Sequence, residues 1–249
     1  MAFQVLDTQG RIKGAQTPSE FSLTTTGTIN NLDFLNADLI RFNNASAAIL
    51  TGLKAGYAGQ SVVIQNIGSS TVQISHQGGT SDAANRAITI STNGQIVGAG
   101  GSMLAIYDGT TLKWRVSVID PGGWIPIAFD AANFTGAAAM TWTVGAGDQA
   151  TYVMRQEGAQ VTILIFLVDT TVGGVPAASL LILVPGGFTL NSALESPTLG
   201  KVVDSGVNGF GSIQRSDDTH FSINNATAVA WTAAVNTTRV FFGATFAVL

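Results

Sequence analysis

The chain has 249 residues, of which 46% are apolar and only 10% charged, against a usual charged share of about 25%. Three of its 15 acidic residues are Glu, and Lys plus Arg number 11, so strong helix formers are scarce and long surface helices and coiled coils are disfavoured. A net charge of -4 with no basic block and no Cys removes the electrostatic footprint for a nucleic-acid backbone or an anionic membrane surface, together with disulfides, thiolate nucleophiles and thiolate metal ligands.

Residues 1–35 carry turn and linker signals (DTQG, TPSE, TTTGT) and little periodicity, as expected of an attachment arm that a partner orders. The opening MAFQVLDTQGRIKG shows neither the basic nor the apolar part of a secretory signal, so an extracellular role implies another exit, such as host lysis. From 36 to 120 the period is two. Val62, Ile64 and Asn66 share one face, and Val72, Ile74 and His76 share another against Thr71, Gln73 and Ser75, the mark of half-buried strands. The segment 87–91 repeats the pattern with Ile88 and Ile90 as its apolar face, before an Asn93-Gly94 turn. A hairpin closes the module: residues 102–107, a loop at Asp108-Gly109, and a strand in which Leu112, Trp114, Val116 and Val118 alternate with Lys113, Arg115 and Ser117.

Asp120-Pro121-Gly122-Gly123 then reads as a hinge or domain boundary. Over 121–249 short strands resume between Gly-rich turns, with Met140, Trp142 and Val144 facing inward. Mean hydropathy is +0.34, yet the longest apolar run, VTILIFLV, is eight residues long with Thr162 inside it, far short of the roughly 20 a spanning helix needs. That run and SLLILV are apolar on both faces, which fits central strands or strands that face a neighbouring subunit. The pattern predicts an all-β chain of two β-sandwich or jelly-roll-like domains after a short arm, with no fixed-period repeat.

Catalysis gathers titratable groups in one place, and here they are few. His76 and His220 lie far apart with no HExxH or HxH partner, so no zinc site is expected; His76 fits a hydrogen-bonded core or subunit-axis histidine. Asp217, Asp218 and His220, in QRSDDTHF, form the densest titratable cluster. They read either as a solvated loop between strands or as a small ligand- or ion-binding loop at a domain tip. No phosphate-cradling or nucleophile-elbow motif occurs where a strand-to-helix turn could use it. Sequons begin at Asn44, Asn133, Asn225 and Asn236, a number that Asn, Ser and Thr richness explains. Trp114 and Trp142 alternate into predicted cores, while Trp124 and Trp231 are less constrained; an exposed one would suit sugar stacking, but burial in a core is the expected fate.

An ordered series of segments, RFNNASAAILTGLKAGYAGQSVVIQNIGSSTVQISHQ, then GTSDAANRAITI, then GAGGSMLAIYDGTTLKWRV, resembles a β-module that recurs in bacteriophage fibre and spike proteins. The C-terminal stretch TYVMRQEGAQVTILIFLVDTTVGGVPAASLLILVPGGFTLN is similar to the jelly-roll knobs that cap phage fibres. The resemblance implies a homotrimer with subunits side by side about an axis. It departs from the familiar pattern in size, since no long shaft, coiled coil or β-helix is expected here.

Composition points the same way on separate grounds. A soluble monomer normally carries about 25–35% charged residues on its surface, and burying apolar excess between subunits removes the conflict. The expectation is a non-enzymatic virion protein on the outer surface of a phage head or tail, without cofactor, catalytic residues or metal. Its arm would hold other virion proteins, and Asn208, Asp217, Asp218 and His220 of its knob would touch a host-surface glycan or protein. The rival expectations are a head fibre or capsid decoration protein, a carbohydrate-cleaving tail spike, and a free carbohydrate-binding module.

Overall fold

The structure is a computed structural model that describes residues 19–192, 198–225 and 229–249. Among these the chain is all-β: twenty strands, with helix confined to four three-residue 3-10 turns. Among the described residues no helix is long and apolar enough to cross a membrane.

The first body is a short β-solenoid. Strands β1 (Glu20–Leu23), β2 (Gly27–Ile29), β3 (Leu39–Phe42), β4 (Ala48–Leu50), β5 (Ser61–Asn66) and β6 (Val72–Ile74) form three successive coils. Phe21, Ile40 and Ile64 stack in parallel register through β1, β3 and β5, and Thr28, Ile49 and Gln73 do so through β2, β4 and β6. A parallel bridge from Leu32 to Leu53 joins the first two coils on a third side. This corrects two expectations. A β-helical arrangement is present, and residues 20–35 belong to it and not to an arm: they contribute β1 and β2 and the buried side chains of Leu32 and Phe34. Residues 1–18 lie outside the described residues.

The coils escape a search for repeats because their lengths differ. Nineteen residues separate Phe21 from Ile40, and twenty-four separate Ile40 from Ile64. Parallel strands also lack the tight turn that announces a hairpin.

Strands β7 (Ala87–Thr89), β8 (Gln95–Val97), β9 (Ser102–Asp108) and β10 (Lys113–Asp120) complete this body. They extend the two sheets to the orders β1-β3-β5-β9-β10-β7 and β2-β4-β6-β8. The β9–β10 hairpin follows its predicted register, with Met103, Ala105, Tyr107, Trp114 and Val116 in the core. Asn66, the last inward residue of β5, is fully buried and turns the corner: its Nδ2 donates to the carbonyls of Ser70 at 2.6 Å and Gly98 at 2.9 Å. The Ala83–Asn85 loop is a bracket between coils. Asn85 Nδ2 donates to Asn31 Oδ1 at 2.8 Å, while its Oδ1 accepts from the amide of Ala55 at 2.8 Å.

The expected faces of β7 are reversed. Ala87 and Thr89 point inward and Ile90 is 67% exposed, because β7 is a parallel edge strand whose register is set by β10 and by the amide of Thr89 donating to His76 Nδ1 at 3.2 Å. Leu112 is also exposed, at a left-handed φ of 53° in the hairpin turn.

The second body comprises β11 (Ile125–Pro126), β12 (Phe134–Gly136), β13 (Met140–Thr143), β14 (Gln149–Glu157), β15 (Gln160–Gly174), β16 (Ser179–Leu183), β17 (Thr198–Asp204), β18 (Val207–Arg215), β19 (His220–Asn225) and β20 (Ala234–Ala247). All pair antiparallel, in the order β11-β14-β15-β20-β17-β18-β19-β16-β12, with β13 also on β15. The sheet folds over on itself. Strands β14 and β16 are distant in that order, yet Tyr152 Oη donates to the Leu183 carbonyl at 3.3 Å, and Phe134 of β12 packs on Trp142 and Tyr152 at centroid distances of 5.6 and 6.3 Å. One core results, with Ile163, Ile165, Leu180, Phe221 and Phe242 among its members. Met140, Trp142 and Val144 face it as predicted, and Trp142 Nε1 is satisfied by Thr170 Oγ1 at 2.9 Å.

The junction after Asp120 is bolted, not hinged. Gln156 of β14 is fully buried; its Oε1 accepts from the amide of Ile96 at 2.8 Å and its Nε2 donates to the carbonyl of Gly94 at 3.0 Å. Ser91 Oγ donates to the Leu249 carbonyl at 2.7 Å, and Asn93 Nδ2 to that of Gly187 at 2.6 Å. The turn chemistry at Pro121 to Gly123 was legible in the sequence, but these side-chain ties from 91–96 were not.

Candidate functional site

The four residues expected to contact a partner fall into two places. Asp217, Asp218 and His220 form the turn from β18 to β19, whereas Asn208 starts β18. At about 3.3 Å per residue the strand from Asn208 to Arg215 puts them roughly 25 Å apart.

In the turn, the Asp217 carboxylate is occupied by its own loop. Its Oδ1 accepts from the Thr219 amide at 2.7 Å, the Thr219 hydroxyl at 2.9 Å and the His220 amide at 2.8 Å, and the His220 ring lies 3.1 Å away. Desolvation pushes this carboxyl upward, but the Thr219 and His220 hydrogen bonds and the His220 charge outweigh it and bring the pKa down to about 2. Asp218 is paired with Arg215. The cluster therefore acts as a closed turn whose acceptors are committed locally.

A depressed carboxyl stabilises the fold fully above its unfolded pKa, near 3.8, and loses that contribution as pH falls through about 2. The protection of the Thr219 and His220 amides, measured relative to their intrinsic exchange rates, should accordingly fall as pH drops from 4 to 2. In Asp217→Asn that protection should be low already at pH 4 and change little below it.

Asn208 belongs to a different surface. Several outward positions of the central strands of the second sheet carry large apolar side chains where solvent calls for polar residues. Phe166 of β15 sits opposite Phe241 of β20, Phe241 opposite Lys201 of β17, and Lys201 opposite Phe210 of β18. The Phe166 and Phe241 rings meet edge to face at 5.4 Å. Beside this row lie Leu164 and Leu199, and a pocket of about 230 Å³ opens between Phe166, Lys201, Val203, Asn208, Arg239 and Phe241.

Leu199, Phe210 and Phe241 are 73, 71 and 48% exposed. At about 200 Å² for a large side chain these three alone leave on the order of 400 Å² of apolar surface, already within the largest patch of a typical monomer. Among the described residues Lys201 has no ion-pair partner, whereas Arg239 pairs with Asp169 at 2.7 Å.

The face is held flat from beneath. Gly200 and Gly211 oppose each other across β17 and β18 over the Phe242 ring, and a Cβ on Gly200 would collide with that ring. The sequence reading marked residues 161–168 and SLLILV as apolar on both faces and passed over the rest. The signal was the alternation Leu199, Lys201, Val203 beside Arg239 and Phe241, which places Leu199, Val203 and Phe241 on the outward set among two cations. No protein-family model matches the chain, and no curated protein matches it either.

Proposed function

We propose that the chain is a non-enzymatic structural component of a bacteriophage virion, a short homotrimeric fibre or spike that carries a jelly-roll-like knob for attachment to a host surface. The observation that carries this reading is the apolar outer face of β15, β20, β17 and β18 on a chain with only 10% charged residues. A subunit interface of ordinary size buries about 800 Å² on each partner, and three side chains of this face supply about half of that. Sister subunits are the occupants that fit, because assembly removes the patch in every copy at once.

The solenoid is the rigid spacer in this reading. Its stacked coils keep the sheet body at a fixed offset, and three such bodies multiply a weak contact through effective concentration. No catalytic step is assigned to any residue.

Light scattering at micromolar concentration tests the interface. The native chain should run at three times 25.7 kDa, and Phe210→Asp/Phe241→Asp, which buries charge in any assembled face, should run as a folded monomer. A monomeric native chain would overturn the trimer; a variant that still assembles would move the interface to another face.

A further inference from the structure

A second surface, between the two bodies, has different chemistry. A cleft of about 240 Å³ runs between the Ser69–Thr71 corner of the solenoid and Trp124 at the start of the second body, with Gly98, Ala99 and Ile125 along it. Trp124 is 43% exposed, whereas Trp114, Trp142 and Trp231 are all buried. The guanidinium of Arg155 lies over the Trp124 ring at 5.3 Å from its centroid, which holds the indole in place. Arg155 is itself paired with Glu157 at 2.5 Å, so this cation does not leave the cleft charged.

The opposite wall offers free hydroxyls on a fixed backbone. The amides of Ser69 and Ser70 donate to the Asn44 carbonyl at 3.1 and 3.3 Å, and the Thr71 carbonyl accepts from the Ala48 amide at 3.0 Å. The Ser70 carbonyl accepts from Nδ2 of the buried Asn66 side chain at 2.6 Å. On Ser69, Ser70 and Thr71 these bonds engage main-chain atoms only; among the described residues, their hydroxyls make no hydrogen bond. The adjoining edge is equally rigid. Gly98 packs so closely on the Gly123 carbonyl that it has no room for a Cβ, and its amide donates to the Pro121 carbonyl at 2.9 Å.

A restrained aromatic plate facing three uncommitted hydroxyls, with no uncompensated charge, suits a ligand with an apolar CH face and a hydroxylated rim. We propose that this cleft binds a single neutral hexopyranose unit of a glycan, stacked by its CH face on Trp124 and hydrogen-bonded through its hydroxyls to Ser69, Ser70 and Thr71. An anionic sugar would find no free cation here, and a purely apolar ligand would leave the hydroxyl wall unpaired. The proposal rests on the attachment reading for the source of the glycan, whereas the binding itself is a property of the isolated chain.

Saturation-transfer NMR on the full chain with the methyl pyranosides of glucose, galactose and mannose tests it. At least one should receive saturation at its ring CH protons. Trp124→Ala should weaken that binding by about tenfold or more, and Ser70→Ala/Thr71→Ala should weaken it without loss of fold. In the native chain the same sugar should shield Trp124, the exposed indole, from acrylamide quenching, a readout that needs no variant. Absence of transfer with all three glycosides, binding that survives Trp124→Ala, or quenching unchanged by sugar would each overturn the site. Such a failure, in a chain still present on virions, would leave the virion reading intact. Sugar binding by a chain absent from virions would do the reverse.

Discussion

Trp114→Ala is expected to lower the stability of the solenoid by about 3–5 kcal/mol, the usual range for removing a fully buried Trp. Trp114 has no exposed surface, and its ring meets Phe34 at 5.7 Å and Tyr107 at 5.2 Å, both edge to face. Its Nε1 donates to the carbonyls of Leu53 at 3.2 Å and Lys54 at 3.1 Å. One side chain on β10 thereby ties the closing hairpin to the segment after β4 and to the chain between β2 and β3. Truncation opens a cavity and removes the donor shared by two carbonyls. Trp114→Phe keeps part of the ring contact while it loses the donor and the outer ring, so its cost should be smaller than that of the Ala variant, about 1–3 kcal/mol. Urea unfolding followed by circular dichroism reads both. A loss below about 1 kcal/mol for the Ala variant would show that the solenoid does not depend on this tie.

Gln156→Leu is expected to uncouple the two bodies. The substitution preserves much of the volume but leaves the amide of Ile96 without its acceptor inside the joint, at a cost of about 1–3 kcal/mol. The Gly94 and Gly158 carbonyls keep Gln95 Nε2 as a donor, at 3.2 and 3.1 Å, so the penalty falls chiefly on one donor at the centre of the contact. Calorimetry should show a single transition in the native chain and a broader, lower one in the variant that begins to separate into two, because the bodies have separate cores and the ties of Ser91 to Leu249 and Asn93 to Gly187 then carry the coupling. A single unshifted transition in Gln156→Leu would contradict the coupling role.

These two residues mark the limits of what the sequence disclosed. The place of Trp114 was legible because Lys113 to Val118 alternates cleanly and follows an Asp108-Gly109 turn, so a local pattern determined a local structure. Gln156 carried no such signal: it lies on an alternating strand where a buried polar residue reads as an irregularity, and its partner amide is sixty residues earlier. The solenoid was hidden for a related reason. Its pairings join residues nineteen to twenty-four positions apart through corners of unequal length, and neither turn chemistry nor a fixed period records them. Asp217, Asp218 and His220 were picked out by chemical density, yet their density serves the turn itself, through Thr219 and Arg215. The outer sheet face needed the pairing of β17 with β18 and β20 before Leu199, Phe210 and Phe241 could be seen as one surface.

Low charge and apolar excess acquire a location in this structure. Each body buries its own apolar core, and of the large apolar side chains left outside, Leu199, Phe210 and Phe241 gather on the central strands of the second sheet. The virion reading accounts for that surplus by assembly, with the solenoid as spacer.

The most direct test of the proposed virion role is a cryo-EM map of purified virions of a phage whose genome carries this sequence. The account predicts threefold density on the outer surface, at the head or the tail, into which three copies of the solenoid and sheet body fit with the Phe210 and Phe241 faces toward the axis. Virions that lack the chain, or that hold it as isolated single copies with that face open to solvent, would contradict it.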